Sequence, residues 1–111
     1  MEPDLLFRQL LMHLFAGSRG AEMRTKIVLV LATRPSNTNM LAKDLGVDYK
    51  TIQYQIRVLT RNKVIETPDS KSYGALYFLT PYMERHLDYV REIWNKYGKS
   101  KISNKTKGQG E

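Results

Sequence analysis

Cysteine is absent from all 111 residues. A disulfide-built secreted module is thereby excluded, a reducing compartment is the natural home, and the expected localisation is cytoplasmic. Histidine is scarce: His13 and His86 are the only two. They fall on different expected helices, and neither has beside it the cysteine or paired carboxylates that would make a metal site or a catalytic triad. No glycine-rich phosphate loop is present. The chain is therefore expected to hold no metal or cofactor and to be no enzyme. A hydrophobic run long enough to span a bilayer is also missing. Leu5 to Phe15 comes nearest, but Arg8, Gln9 and His13 interrupt it, and Glu2 and Asp4 stand where a signal peptide needs positive charge. Neither a leader nor a membrane anchor is expected there.

What the chain has in excess is positive charge. Lysine and arginine number 18 against 11 acids, for a formal net charge of +7 and an isoelectric point near 9.7. Such a balance favours an anionic partner, most commonly nucleic acid for a small basic domain, although basicity alone also suits an acidic membrane surface. At this length one domain is expected, burying roughly two thirds of the surface its unfolded chain exposes.

The charge is not spread evenly. Between Tyr49 and Ile65 there is no Asp or Glu, while Lys50, Arg57, Arg61 and Lys63 give a local charge of +4. The apolar residues around this segment form two sets with helical spacing. Leu41, Ala42 and Leu45 make a short inward face that Gly46 ends by permitting a left-handed backbone. Ile52, Ile56 and Leu59 make the stripe of a second helix, with Asp48 as its N-cap. Lys50, Thr51, Gln53, Tyr54 and Arg57, with Arg61 and Lys63 beyond, must then face outward. Arginine and lysine can bond guanine or phosphate, glutamine can bond adenine bidentately, and threonine or tyrosine can reach phosphate oxygens. The layout is that of a helix-turn-helix reading the major groove. The blander reading is a solvated charged face.

Residues 41–65, with the hairpin-like stretch that follows and the motif ALYFLTP at 75–81, resemble the winged helix-turn-helix of ArsR-type transcription regulators, the small archaeal members especially. The family pattern on the recognition helix is matched by Thr51, Ile52, Gln55, Ile56 and Leu59, and the resemblance extends over roughly residues 18 to 97. It implies a mainly α fold with a small β-hairpin, a recognition helix over 49–62, double-stranded DNA as ligand, and a homodimer built from the first and last helices. Two features depart from the family. The position after the recognition helix is usually glycine and here is Lys63, so that either Asn62 takes the left-handed cap or the helix ends differently. The metal-sensing members carry a cysteine pair, so a thiolate sensor is excluded.

The rest of the chain fits this outline. Leu6, Leu10 and Leu14, with Phe7, Leu11 and Phe15 beside them, predict an N-terminal helix over 1–17 with a wide apolar face. Met23, Ile27, Val30 and Leu31 predict a helix ending before Pro35, and Asn37 or Thr38 caps the helix holding Leu41. Val64 to Thr67 and Ala75 to Leu79 predict the wing. Lys71 near its tip is either a phosphate contact or an ordinary exposed lysine. Thr80 and Pro81 start a last helix over 81–97, in which Met83, Leu87, Val90, Trp94 and Tyr97 recur at spacings of 4, 3, 4 and 3. That seam either covers the chain's own core or, with the first helix, forms a dimer through Leu6, Leu10, Leu14, Leu87, Val90 and Trp94. The winged core is expected over 18–80, and residues 98–111, with four lysines and one acid, are expected to be a disordered basic tail. The tail either adds phosphate attraction or only solubilises. The expected function is sequence-specific DNA binding in transcription regulation by a homodimer on an inverted repeat, with half-sites about one helical turn apart. The alternative is an architectural or protein-interaction winged helix whose partner belongs to the transcription machinery.

Overall fold

The computed structural model describes residues 4–69 and 72–98. The chain divides into two compact units, one made of its residues up to Thr25 and from His86 onward, the other of Lys26–Arg85. Lys71 and the tail beyond Gly98 lie outside the described residues.

In the first unit, helix α1 (Leu5–Phe15) starts at Asp4, whose carboxylate accepts the Phe7 amide at 2.9 Å. Helix α2 (Ala21–Thr33) begins here and continues into the second unit. After His86 come α6 (Leu87–Ile93) and a π-helical turn, Trp94–Gly98. α1 packs on α6, the Arg8 guanidinium lies 5.7 Å from the centre of the Tyr89 ring, and Leu11, Leu14, Phe15, Val90 and Ile93 are buried. The α1 face differs from the expected one. Leu14 is buried but Leu6 is 77% exposed and Leu10 half-buried, because the inward line is Phe7, Leu11, Leu14 and Phe15. Leu14 and Val90 are thus enclosed within a single chain, whereas Leu6, Leu10, Leu87 and Trp94 keep exposed surface.

The last helix is not continuous over 81–97. α5 (Pro81–Arg85) stops at His86, where φ is −115° and ψ 20°, and the His86 ring is buried 5.9 Å from that of Phe7. Beyond Ile93 the wider π turn shifts the side chains off the heptad line, leaving Trp94 half-buried and Tyr97 exposed. A Cβ on Gly98 would stand 2.1 Å from the Trp94 ring, so the main chain lies directly against the indole.

Arg24 is a third departure. The expected α2 stripe included Met23 and Val30, but these are half-buried, while Arg24, Thr25 and Val28 are buried along with Ile27 and Leu31. The Arg24 guanidinium donates to the carbonyls of Leu14 at 2.9 Å and Arg19 at 3.0 Å and to the Ser18 hydroxyl at 2.5 Å. It thereby supplies donors to the end of α1 and the turn after it, where helix carbonyls have no partner of their own.

The second unit holds the helix-turn-helix and wing. Helix α3 (Thr38–Leu45) is capped by Asn37, whose side chain accepts the Met40 amide at 2.8 Å. It ends at Gly46 with φ 68°, and helix α4 (Tyr49–Arg61) follows. Ile52, Ile56 and Leu59 are buried at 0, 5 and 0% exposure, each contributing about 2 kcal/mol by removal from water. They dock α4 onto α3. Strands β1 (Ile65–Glu66) and β2 (Phe78–Leu79) pair antiparallel, Ile65 opposite Leu79 and Glu66 opposite Phe78. The pairing is shorter than expected, and Tyr77 instead bridges to Ser36. The Thr80 hydroxyl donates to the Lys63 carbonyl at 2.9 Å and accepts the Met83 amide at 3.3 Å, so the expected cap on α5 is in place. Among the described residues no helix is long and apolar enough to cross a membrane.

Candidate nucleic-acid interface

The buried line of α4 fixes what its other faces can do. Successive residues turn by about 100° on a helix, so Lys50, Tyr54, Arg57 and Arg61, at spacings of 4, 3 and 4, form one line opposite Ile52, Ile56 and Leu59. All four are exposed. Gln53 is exposed beside that line on the side facing the wing. Among the described residues no ion pair engages Lys50, Arg57, Arg61 or Lys63, whereas Arg34 is held by Asp44 at 2.6 Å. The cations of α4 are therefore uncommitted, and no acid on the helix competes for them.

Gln53 and Arg57 also line a cleft of about 350 Å³, with Tyr49 and Thr60 from α4, Asn37 and Asn39 at the start of α3, and Tyr73 and Tyr77 from the wing. Tyr73 is 88% exposed, and its hydroxyl accepts the Asn39 side-chain amide at 3.4 Å. The Asn37 amide reaches the Gly74 carbonyl at 3.5 Å. The wing is thus tied to the first turn of α3, and one wall of the cleft is set by that tie. The hydroxyl oxygen of Thr67, also in the lining, is buried with no hydrogen-bond partner among the described residues. Tyr49 was legible in the sequence, standing four residues before Gln53 and eight before Arg57. Asn39, Thr67 and Tyr73 were not, because they join the site through the wing's fold.

The seven expected DNA contacts therefore separate. Lys50, Tyr54, Arg57 and Arg61 form the exposed line, Gln53 and Arg57 face the cleft, Thr51 lies to the other side, and Lys71 is outside the described residues. Asp48 stands at the expected cap position with extended backbone, but its carboxylate makes no bond to a helix amide. It accepts the Thr51 hydroxyl instead. Asp48 is thus the N-cap residue, as expected, but threonine three residues on takes its carboxylate, offering a donor with fewer geometric constraints than the backbone amide.

The Thr51 hydroxyl's hydrogen bond holds the Asp48 carboxyl below its ordinary value of 3.8, aided by the polarity of the nearby backbone amides and by the Lys50 charge. A lowered carboxyl favours the folded state above the unfolded value, and that contribution is lost as pH falls below about 3.8 through the lowered one. In a carbon-detected NMR titration, Asp48 is expected to titrate below the usual aspartate range and to move back up in Thr51→Ala. An identical midpoint in the two proteins contradicts the hydrogen bond as the cause.

No protein-family model matches the chain, and no curated protein does either. Solved structures match. A probable transcriptional regulator from Pseudomonas aeruginosa aligns at TM-score 0.57 and 21% identity, over 82% of this chain and 74% of that one. Staphylococcus aureus MarR, in complex with salicylate and kanamycin, aligns at TM-score 0.62 and 14% identity, over 90% and 67%. The transcriptional repressor CouR, bound to a 23-mer DNA duplex, aligns at TM-score 0.62 and 16% identity, over 89% and 72%. At these identities the likeness is one of fold: helical, with a two-stranded antiparallel hairpin, a winged helix-turn-helix. The ArsR-type resemblance is narrower than what these three structures carry.

Proposed function

We infer that this chain is a DNA-binding transcription regulator that reads duplex sequence with α4 in the major groove. The observation that carries this is the line of Lys50, Tyr54, Arg57 and Arg61, exposed, free of acids and unengaged by ion pairs, with Gln53 beside it. A helix whose cations are neutralised by its own neighbours gains little from phosphate; this one releases counterions on binding. Arg57 and Gln53 have the donor geometry to distinguish guanine and adenine, while Lys50, Arg61 and the hydroxyl of Tyr54 suit phosphate and set register. Thr51 joins them if its hydroxyl turns from Asp48, and Lys71 would add a phosphate contact from the wing.

The finer reading is a homodimer of the ArsR type. It is supported by the match of Thr51, Ile52, Gln55, Ile56 and Leu59 to that family's recognition helix, and by Leu6, Leu10, Leu87 and Trp94, which keep apolar surface exposed on the first unit. Selection of bound sequences from random duplex DNA, at a fixed salt near physiological, tests both levels. An enriched inverted repeat with half-sites about 10 base pairs apart is the expected result. A single enriched half-site removes the dimer and leaves the reading of sequence. Binding without enrichment leaves an architectural role, and absence of binding favours a winged helix that docks on protein of the transcription machinery.

A further inference from the structure

Lys63 is the only residue other than glycine with positive φ among the described residues, at 62°. Its position explains the conformation. The Val64 amide donates to the Leu59 carbonyl at 3.0 Å and the Lys63 amide to the Thr60 carbonyl at 3.1 Å, the pair of bonds that closes a helix through one left-handed residue. Asn62, with φ −94°, does not take that role; its side chain folds back onto the Val58 carbonyl at 2.8 Å. The Lys63 carbonyl is pinned by the Thr80 hydroxyl. Glycine would make every one of these main-chain bonds without the steric cost that a Cβ brings to the left-handed region.

What lysine adds is its ammonium group. The side chain is exposed, and among the described residues no ion pair engages it. Complementing the negative end of the α4 dipole does not account for it, because Arg61 already occupies the last turn. We propose that Lys63 is a phosphate-binding residue of the α4 surface, held in an unfavourable backbone position for the sake of its charge. The inference rests on the DNA-reading function above and adds a contact at the end of the helix opposite Lys50. Because the main chain at Lys63 and Val64 is fixed by three hydrogen bonds, two to the last turn of α4 and one to the Thr80 hydroxyl, the ammonium projects from a constant point. It therefore sets the depth and register of α4 and not the base preference.

The test compares the full chain with Lys63→Gly, Lys63→Asn and Lys63→Arg, on the selected duplex and on random duplex, over a range of salt. Lys63→Gly is expected to raise the thermal midpoint while weakening both duplexes by the same factor. Its plot of log affinity against log salt should flatten by about one unit per bound chain. Lys63→Asn, which tolerates the left-handed region without a charge, should flatten the plot equally, and Lys63→Arg should keep the original slope. An unchanged slope in Lys63→Gly and Lys63→Asn overturns the phosphate assignment alone, as does a loss of slope in Lys63→Arg. A lower midpoint in Lys63→Gly overturns the claim that lysine is held there against backbone preference. No binding of either duplex by the unaltered chain overturns the assignment together with the DNA-reading function.

Discussion

Arg57→Ala is expected to weaken binding to the selected duplex by about 1 to 3 kcal/mol, on the order of 5- to 150-fold. Arg57 is the residue at which the two arrangements on α4 meet: it lies on the exposed line with Lys50, Tyr54 and Arg61 and also lines the cleft with Gln53. Midway along the helix, with no ion pair among the described residues, its guanidinium is available for two parallel hydrogen bonds to one guanine edge. The loss should be concentrated at one base pair of the selected site. Competition with duplexes altered one position at a time would show discrimination collapsing there and persisting elsewhere. A loss shared equally by target and random duplex would place Arg57 on phosphate, and an unchanged affinity would remove it from the interface.

Arg24→Ala should cost stability instead of recognition, by about 3 kcal/mol. At 4% exposure, the substitution leaves the carbonyls of Leu14 and Arg19 without the donors they now have. The buried Leu14 acceptor costs about 1 to 3 kcal/mol when stranded in this way, and the part-buried Arg19 carbonyl adds less. For a domain of this size the thermal midpoint should fall on the order of 10 to 20 °C. Arg24→Lys should recover only part of the loss, since one ammonium cannot span the two carbonyls and the Ser18 hydroxyl that the planar guanidinium reaches. Urea unfolding that returned less than about 1 kcal/mol for Arg24→Ala would mean that water replaces the arginine without penalty.

The two substitutions also mark where sequence was informative. The α3–turn–α4 segment was legible because each device in it is local: Asn37 three residues before the amide it caps, Gly46 at the left-handed position, Ile52, Ile56 and Leu59 within two turns of one another. Thr80 and Pro81 were legible for the same reason. Arg24 was not, because its partners are main-chain carbonyls, which carry no residue identity and are brought to it by the turn after α1. The break at His86 was hidden by a periodic apolar pattern that runs through it, since spacing records which residues share a side and not whether the backbone bonds between them are made. The cleft was half visible: its α4 wall follows from helical spacing, whereas Asn39, Thr67 and Tyr73 meet only when the hairpin closes. Lys63 was visible as an exception but not as a conformation: the sequence offered Asn62 for the left-handed position, or a different helix ending, and the left-handed residue is Lys63.

The wing's two-residue strands are too short to hold themselves together. Its footing comes from outside the ladder: Tyr77 exchanges both main-chain hydrogen bonds with the fully buried Ser36, at 2.9 and 3.3 Å, and Thr80 fastens the returning strand to Lys63 and Val64. With its base clamped in this way, and with Tyr73 and Gly74 held by Asn39 and Asn37, the stretch between Glu66 and Tyr73 can gain or lose residues at small entropic expense and without moving α4. Under the DNA-reading function proposed above, reach along the duplex and choice of base thereby become separately adjustable, and descendants of one such scaffold diverge in footprint length while keeping the same base preference.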